Sequence, residues 1–152
     1  MGPIFRPAMS FCFCWWVCVK TIARLSQTIW EMNGTSVIGN AALSNPGSSW
    51  HLIGTVDFNG DGKSDLLWQN NDGTPEIWDM NGTNSLSMMT LSNPGSAWHL
   101  IGTGDFNGDG KSDLLFQNSD GTPGIWEMNV TPLVTSGALS NVGSTWHLIP
   151  AL

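Results

Sequence analysis

The sequence predicts an all-β chain built from four-stranded antiparallel units, and three observations lead there. First, the chain repeats itself at a fixed interval: "WHLIGT" begins at Trp50 and again at Trp98, and "WHLI" returns at Trp146. "IWEMN" at Ile29 becomes "IWDMN" at Ile77 and "IWEMN" at Ile125, with the same spacing. Such self-similarity marks a fold stacked from one small unit. Second, beyond Gln27 every apolar run is short and is closed by turn formers, which leaves no room for long helices. Third, Asp-Gly turns recur in register, in "NDGTP" at Asn71 and "SDGTP" at Ser119, as hairpins prefer. Four antiparallel strands in roughly 40 to 50 residues, repeated, is the pattern of a β-propeller blade.

The elements follow in order. Residues 1–27 do not fit the repeat: "MSFCFCWWV" (Met9 to Val17) stands where the unit elsewhere carries an acidic loop. The apolar run from Ala8 to Val19 has the length of a signal-peptide core and is too short for a membrane span. Arg6 gives it a positive flank, but no small-x-small cleavage pattern follows. A degenerate secretion signal, a buried cap and a non-native start all remain open. All three cysteines, Cys12, Cys14 and Cys18, lie in this segment, so no disulfide framework supports the rest.

Residues 28–49 read as a partial blade, 50–97 and 98–145 as complete blades, and 146–150 as the first strand of another. Each complete unit starts with "WHLIGT", passes through the acidic loop, and continues into "SDLLWQN" (Ser64 to Asn70) or "SDLLFQN" (Ser112 to Asn118). The third strand is "EIWDM" or "GIWEM", and the fourth covers about Ser85 to Leu91 or Leu133 to Leu139. The two complete units share 33 of 48 positions, and eight of their 15 differences fall within Gly82 to Thr90. Propellers close with about 4 to 8 blades, so the expectation is either a fragment of a longer array or a chain that self-assembles.

Composition narrows the function. With 12 acidic and five basic residues the formal charge is -7, which argues against a nucleic-acid partner and against adhesion to anionic lipid. His51, His99 and His147 recur once per unit, and none has Cys, Ser or Asp directly beside it as a nucleophile pair would require. No catalytic residue is expected, and the chain does not read as an enzyme.

The acidic loop carries the chemistry. In "DFNGDGKSD", side-chain oxygens stand at positions 1, 3, 5 and 9: Asp57, Asn59, Asp61 and Asp65, then Asp105, Asn107, Asp109 and Asp113. The alternation lets a curled backbone aim every second side chain at one centre, and Gly62 and Gly110 permit the sharp turn. Position 7, Lys63 or Lys111, would add a backbone carbonyl. Five hard oxygens plus water suit Ca²⁺, whereas zinc would want His or Cys at this spacing. Two bound Ca²⁺ would take the formal charge from -7 to -3. A metal-free turn needs fewer oxygens than these. An EF-hand needs an oxygen ligand at position 12, where this chain has Trp68 or Phe116.

"DFNGDGKSDLLWQNNDGT" and "DFNGDGKSDLLFQNSDGT" resemble the FG-GAP or VCBS-type repeat of integrin-α-like β-propellers, a family common in secreted proteins. The resemblance spans about residues 28–150. It implies Ca²⁺ in the hairpin between the first two strands of each blade, held by the residues just named. It also implies a binding, scaffolding or adhesion module in an extracellular or cell-surface protein, with a protein or carbohydrate ligand. Two alternatives accompany it. One is a lectin-like propeller that uses inter-blade tryptophans, with Trp78 and Trp126 as candidates. The other is an accessory fragment of an extracellular hydrolase.

Overall fold

A computed structural model describes residues 17–22, 26–129, 133–141, 143 and 145 of the chain. Eleven strands make up its regular structure: β1 (Val17–Ile22), β2 (Ser26–Asn33), β3 (Ser36–Leu43), β4 (Trp50–Val56), β5 (Asp65–Asn70), β6 (Pro75–Asn81), β7 (Asn84–Thr90), β8 (Trp98–Gly104), β9 (Asp113–Asn118), β10 (Pro123–Met128) and β11 (Leu133–Ala138). They pair as three antiparallel sheets, β1-β2-β3, β4-β5-β6-β7 and β8-β9-β10-β11. The fold is therefore all-β, with four-stranded antiparallel sheets in the manner of propeller blades, and the sheets do not close into a ring. Among the described residues no helix is long and apolar enough to cross a membrane. The first-strand reading of 146–150 lies outside the described residues, as do residues 1–16.

Local chemistry explains the reversals that follow β5 and β7. Between β5 and β6, Asp72 Oδ1 accepts the Thr74 amide at 2.9 Å, and Gly73 takes φ of 94°. Between blades, Asn93 Oδ1 accepts the Gly95 amide at 2.7 Å, and the Trp98 amide returns to the Gly95 carbonyl at 3.0 Å. Asn and Asp side chains mimic a backbone turn in this way, and glycine supplies the positive φ that other residues resist.

Strand β1 falls inside the stretch that the repeat does not match, yet it occupies the place of a second strand. Cys18 pairs with Trp30 as Leu66 pairs with Trp78, one repeat further along the chain. Backbone hydrogen bonds carry this register without needing the repeat's side chains.

The core lies between the sheets. One cluster joins the partial blade to the first complete blade through Ile29, Leu43, Leu66, Trp68, Trp78 and Met80. A second joins the two complete blades through Ile77, Leu91, Leu114, Phe116 and Met128, with Trp126 packed against it. Each member of the first, moved on by one repeat, gives a member of the second or a residue packed on it. The second cluster also holds Phe58 and Leu67. Full burial of such side chains is worth about 1.5–3 kcal/mol each.

Candidate functional site

The two acidic loops join β4 to β5 and β8 to β9, and their sequence dictates their shape. Asp57 Oδ1 accepts the amides of Asn59 (3.1 Å) and Gly60 (2.6 Å), while Oδ2 accepts that of Gly62 (2.8 Å). Asn59 Oδ1 accepts the Asp61 amide and Asp61 Oδ1 the Lys63 amide, both at 2.8 Å. The second loop repeats the pattern. Asp105 accepts from Gly108 (2.7 Å), Asp109 (3.1 Å) and Gly110 (3.0 Å); Asn107 accepts from Asp109 and Asp109 from Lys111, both at 2.9 Å. Gly62 and Gly110 have φ of 80° and 82°, so the glycine after the third oxygen residue is a backbone requirement.

At the base of each loop stands a fully buried carboxylate. Asp65 Oδ2 accepts the Phe58 amide and Oδ1 the Met80 amide, each at 2.9 Å. Asp113 does the same for Phe106 and Met128 at the same distance. The β6–β7 ladder shifts between Asp79 and Met80, and the β10–β11 ladder between Glu127 and Met128. Asp65 and Asp113 accept the amide that stands at each shift, where a buried N–H needs a partner.

Burial pushes the Asp65 carboxyl up to about 6. The two amide bonds pull it down, and the negative charges of Asp79 and Asp57 push it up further. On Asp61 burial also acts upward, but the Lys63 amide and ammonium outweigh it and hold the group below the usual carboxylate range. Lys63 Nζ lies 3.1 Å from Asp61 Oδ2.

The expected ligand residues thus share one loop per blade, but their oxygens turn onto backbone amides. Among the described residues, no group of three or more His, Cys, Asp or Glu stands close enough to hold a metal ion. The donor chemistry nevertheless fits a hard cation. The oxygens are carboxylate and amide, a carboxylate offers about four acceptor positions, and the amides use only some of them.

Two features of the loops lay outside the sequence reading. Asp79, on β6, joins the first loop through Asn59 Nδ2 at 2.8 Å. The acid recurring in "IWEMN" and "IWDMN" (Glu31, Asp79, Glu127) was the available signal. The loops also touch each other: the Ser112 amide donates to the Asp57 carbonyl at 2.8 Å, and the Lys111 stem lies against Gly60. Lys111 Nζ donates to Asn129 Oδ1.

The other candidates fall where duplication puts them. His51 meets Asn71 Oδ1 at 2.6 Å and His99 meets Ser119 Oγ at 3.2 Å, each fastening an exposed turn; His147 lies outside the described residues. Trp78 is only 2% exposed and packs at 5.1 Å from Trp68, so it has no face for a ligand. Trp126 packs at 4.8 Å from Phe116 and remains partly exposed.

Against models of known families, residues 57–116 match the FG-GAP-like repeat. The match runs from the first residue of the first acidic loop into β9, and so includes both loops. No curated protein and no solved structure matches the chain.

Proposed function

Because residues 57–116 are an FG-GAP-like repeat, we propose that the chain is a calcium-stabilised propeller-repeat module, serving in binding or scaffolding within a secreted or surface protein. One observation carries the calcium reading. Each acidic loop keeps a fully buried carboxylate at its base, and Asp65 is pressed by the charge of Asp57 and Asp79. That repulsion is unfavourable alone, and a divalent cation bound in the loop would relieve it. Asp57, Asn59, Asp61 and Asp65 would hold the first ion with the Lys63 carbonyl; Asp105, Asn107, Asp109 and Asp113 would hold the second with that of Lys111. The ion supplies charge neutralisation and ties the loop to the sheet; the binding role falls to the surfaces between and around blades.

The test is calorimetric titration of Ca²⁺ into the full chain, with a thermal melt in EDTA beside it. Two sites per chain are expected, with affinity in the range of extracellular modules, about 10⁻⁴–10⁻³ M. Asp61→Ala and Asp109→Ala should each remove one site, and EDTA should lower the melting temperature. A folded chain that binds no Ca²⁺ and melts unchanged in EDTA would leave the loops as turns only.

A further inference from the structure

The chain carries four Asn-Gly pairs, and the fold treats them in two ways. Asn33–Gly34 and Asn81–Gly82 stand at hairpin tips. Asn33 pairs with Ser36 and Asn81 with Asn84 as the closing rungs of β2–β3 and β6–β7, so each glycine lies in a two-residue turn beyond the ladder. Gly34 and Gly82 take φ of 59° and 62° there. Both asparagines are exposed, and neither side chain has a hydrogen-bond partner among the described residues. Asn59–Gly60 and Asn107–Gly108 stand in the acidic loops instead. Asp57 Oδ1 holds the Gly60 amide at 2.6 Å, and Asp105 Oδ1 holds the Gly108 amide at 2.7 Å. Asn59 is tied down further by the Asp61 amide and by Asp79, and Asn107 by the Asp109 amide. Asn107 is exposed like the tip asparagines, so bonding rather than exposure separates the two kinds.

We propose that Asn33 and Asn81 are sites of spontaneous deamidation, and that the acidic loops protect Asn59 and Asn107 from the same reaction. The glycine amide nitrogen, once it has lost its proton, attacks the asparagine Cγ. The N–Cγ bond forms, the Cγ–Nδ2 bond breaks, and ammonia leaves with the proton. Water then opens the cyclic imide at either carbonyl and leaves Asp or isoAsp. Asparagine is among the thermolabile residues, and a following glycine has no Cβ to obstruct the attack. In the loops the attacking nitrogen is already donating to a carboxylate. That bond must open first, and the negative charge of Asp57 or Asp105 opposes an anionic nitrogen beside it. The two tips also differ. A Cβ on Gly34 would meet nothing within 4 Å, whereas one on Gly82 would stand 3.2 Å from Glu31 Oε2. The Glu31 carboxylate therefore disfavours the same anion at Gly82, and Asn33 reacts first. Each event adds one carboxylate, so two take the formal charge from -7 to -9. An isoAsp also lengthens the main chain at the closing rung, where a two-residue turn fixes the register of the hairpin. The tips contain no acidic-loop residue, so this inference does not rest on the calcium reading.

The test is incubation of the full chain at mildly alkaline pH, with one sample native and one in urea. Peptide mass spectrometry with electron-transfer fragmentation then locates each Asp and isoAsp. In the native sample Asn33 is expected to react first and Asn81 next, with Asn59 and Asn107 slower than Asn33 by about tenfold or more. In urea the four should react at similar rates, since each is followed by glycine. Asp57→Ala removes the acceptor of the Gly60 amide, so it should raise the Asn59 rate towards that of Asn33 while Asn107 stays slow. Circular dichroism checks that this variant is folded, and the comparison of native chain with urea stands without it. Equal rates at all four sites in the folded chain overturn the proposal. So does an intact Asn33 after Asn59 or Asn107 has reacted, or an Asn59 rate unchanged in folded Asp57→Ala.

Discussion

Asp65 combines two demands on one side chain. Its carboxylate satisfies the amides of Phe58 and Met80 without any solvent exposure, and it does so beside Asp57 and Asp79. With its folded value raised to about 6 and an unfolded value of about 3.9, the native state holds a proton there that the unfolded chain has released. The stability this contributes is full below about pH 4 and is lost as pH rises through about 6. In EDTA, the urea midpoint is therefore expected to fall between pH 4 and pH 7, and Asp65→Asn to flatten that slope. A slope unchanged in Asp65→Asn would place its origin elsewhere. Asp61, Asp72 and Asp120 are shifted downward, so their contributions disappear only on acidification, below this window. The paired use of Asp65 was half legible in the sequence. Position 9 of the loop called for an oxygen, but nothing in "DFNGDGKSD" tells that the carboxylate reaches the Met80 amide, well ahead on another strand.

Hairpins and loops were the most legible elements, because glycine and Asx residues act locally. The loop glycines test this cleanly. A Cβ on Gly62 or Gly110 would meet nothing within 4 Å, so any cost comes from the backbone at φ near 80°. Gly62→Ala and Gly110→Ala are each expected to cost about 1–2 kcal/mol in urea denaturation. Gly124→Ala should cost about 1–3 kcal/mol for a different reason, since a Cβ there would stand 2.8 Å from Trp98 Cζ3. Equal, negligible effects at all three would refute both explanations. Strand boundaries agree closely with expectation: Ser64 to Asn70 became Asp65–Asn70, and the fourth strand near Ser85 became Asn84–Thr90. Strand β1 was not legible. A ladder is made by backbone groups, so Val17–Ile22 pairs in the repeat's register while its letters match nothing in the repeat.

Across the whole molecule, the repeat step moves one interface onto the next, and the last blade shows what an uncovered face looks like. Phe58 is 0% exposed beneath the second complete blade, whereas its counterpart Phe106 is 47% exposed; Leu91 and Leu139 are 8% and 51%. Phe58→Ala is expected to cost about 3–5 kcal/mol, and Phe106→Ala at most about 1 kcal/mol, in matched denaturation curves. Similar losses would mean that the second face is covered in solution. The periodic placement of these residues was legible from self-comparison alone. Their unequal burial was not, because it depends on what stands beyond each sheet.

The stepped core has a genetic consequence. Removing residues 50–97 would bring the face built on Ile29 and Leu43 against Leu114, Phe116 and Met128, the residues that now meet Ile77 and Leu91. The junction would reunite side chains of the same kinds in the same register. Loss or duplication of one 48-residue unit would therefore shorten or lengthen such a chain by a whole blade, each product inheriting a matched seam.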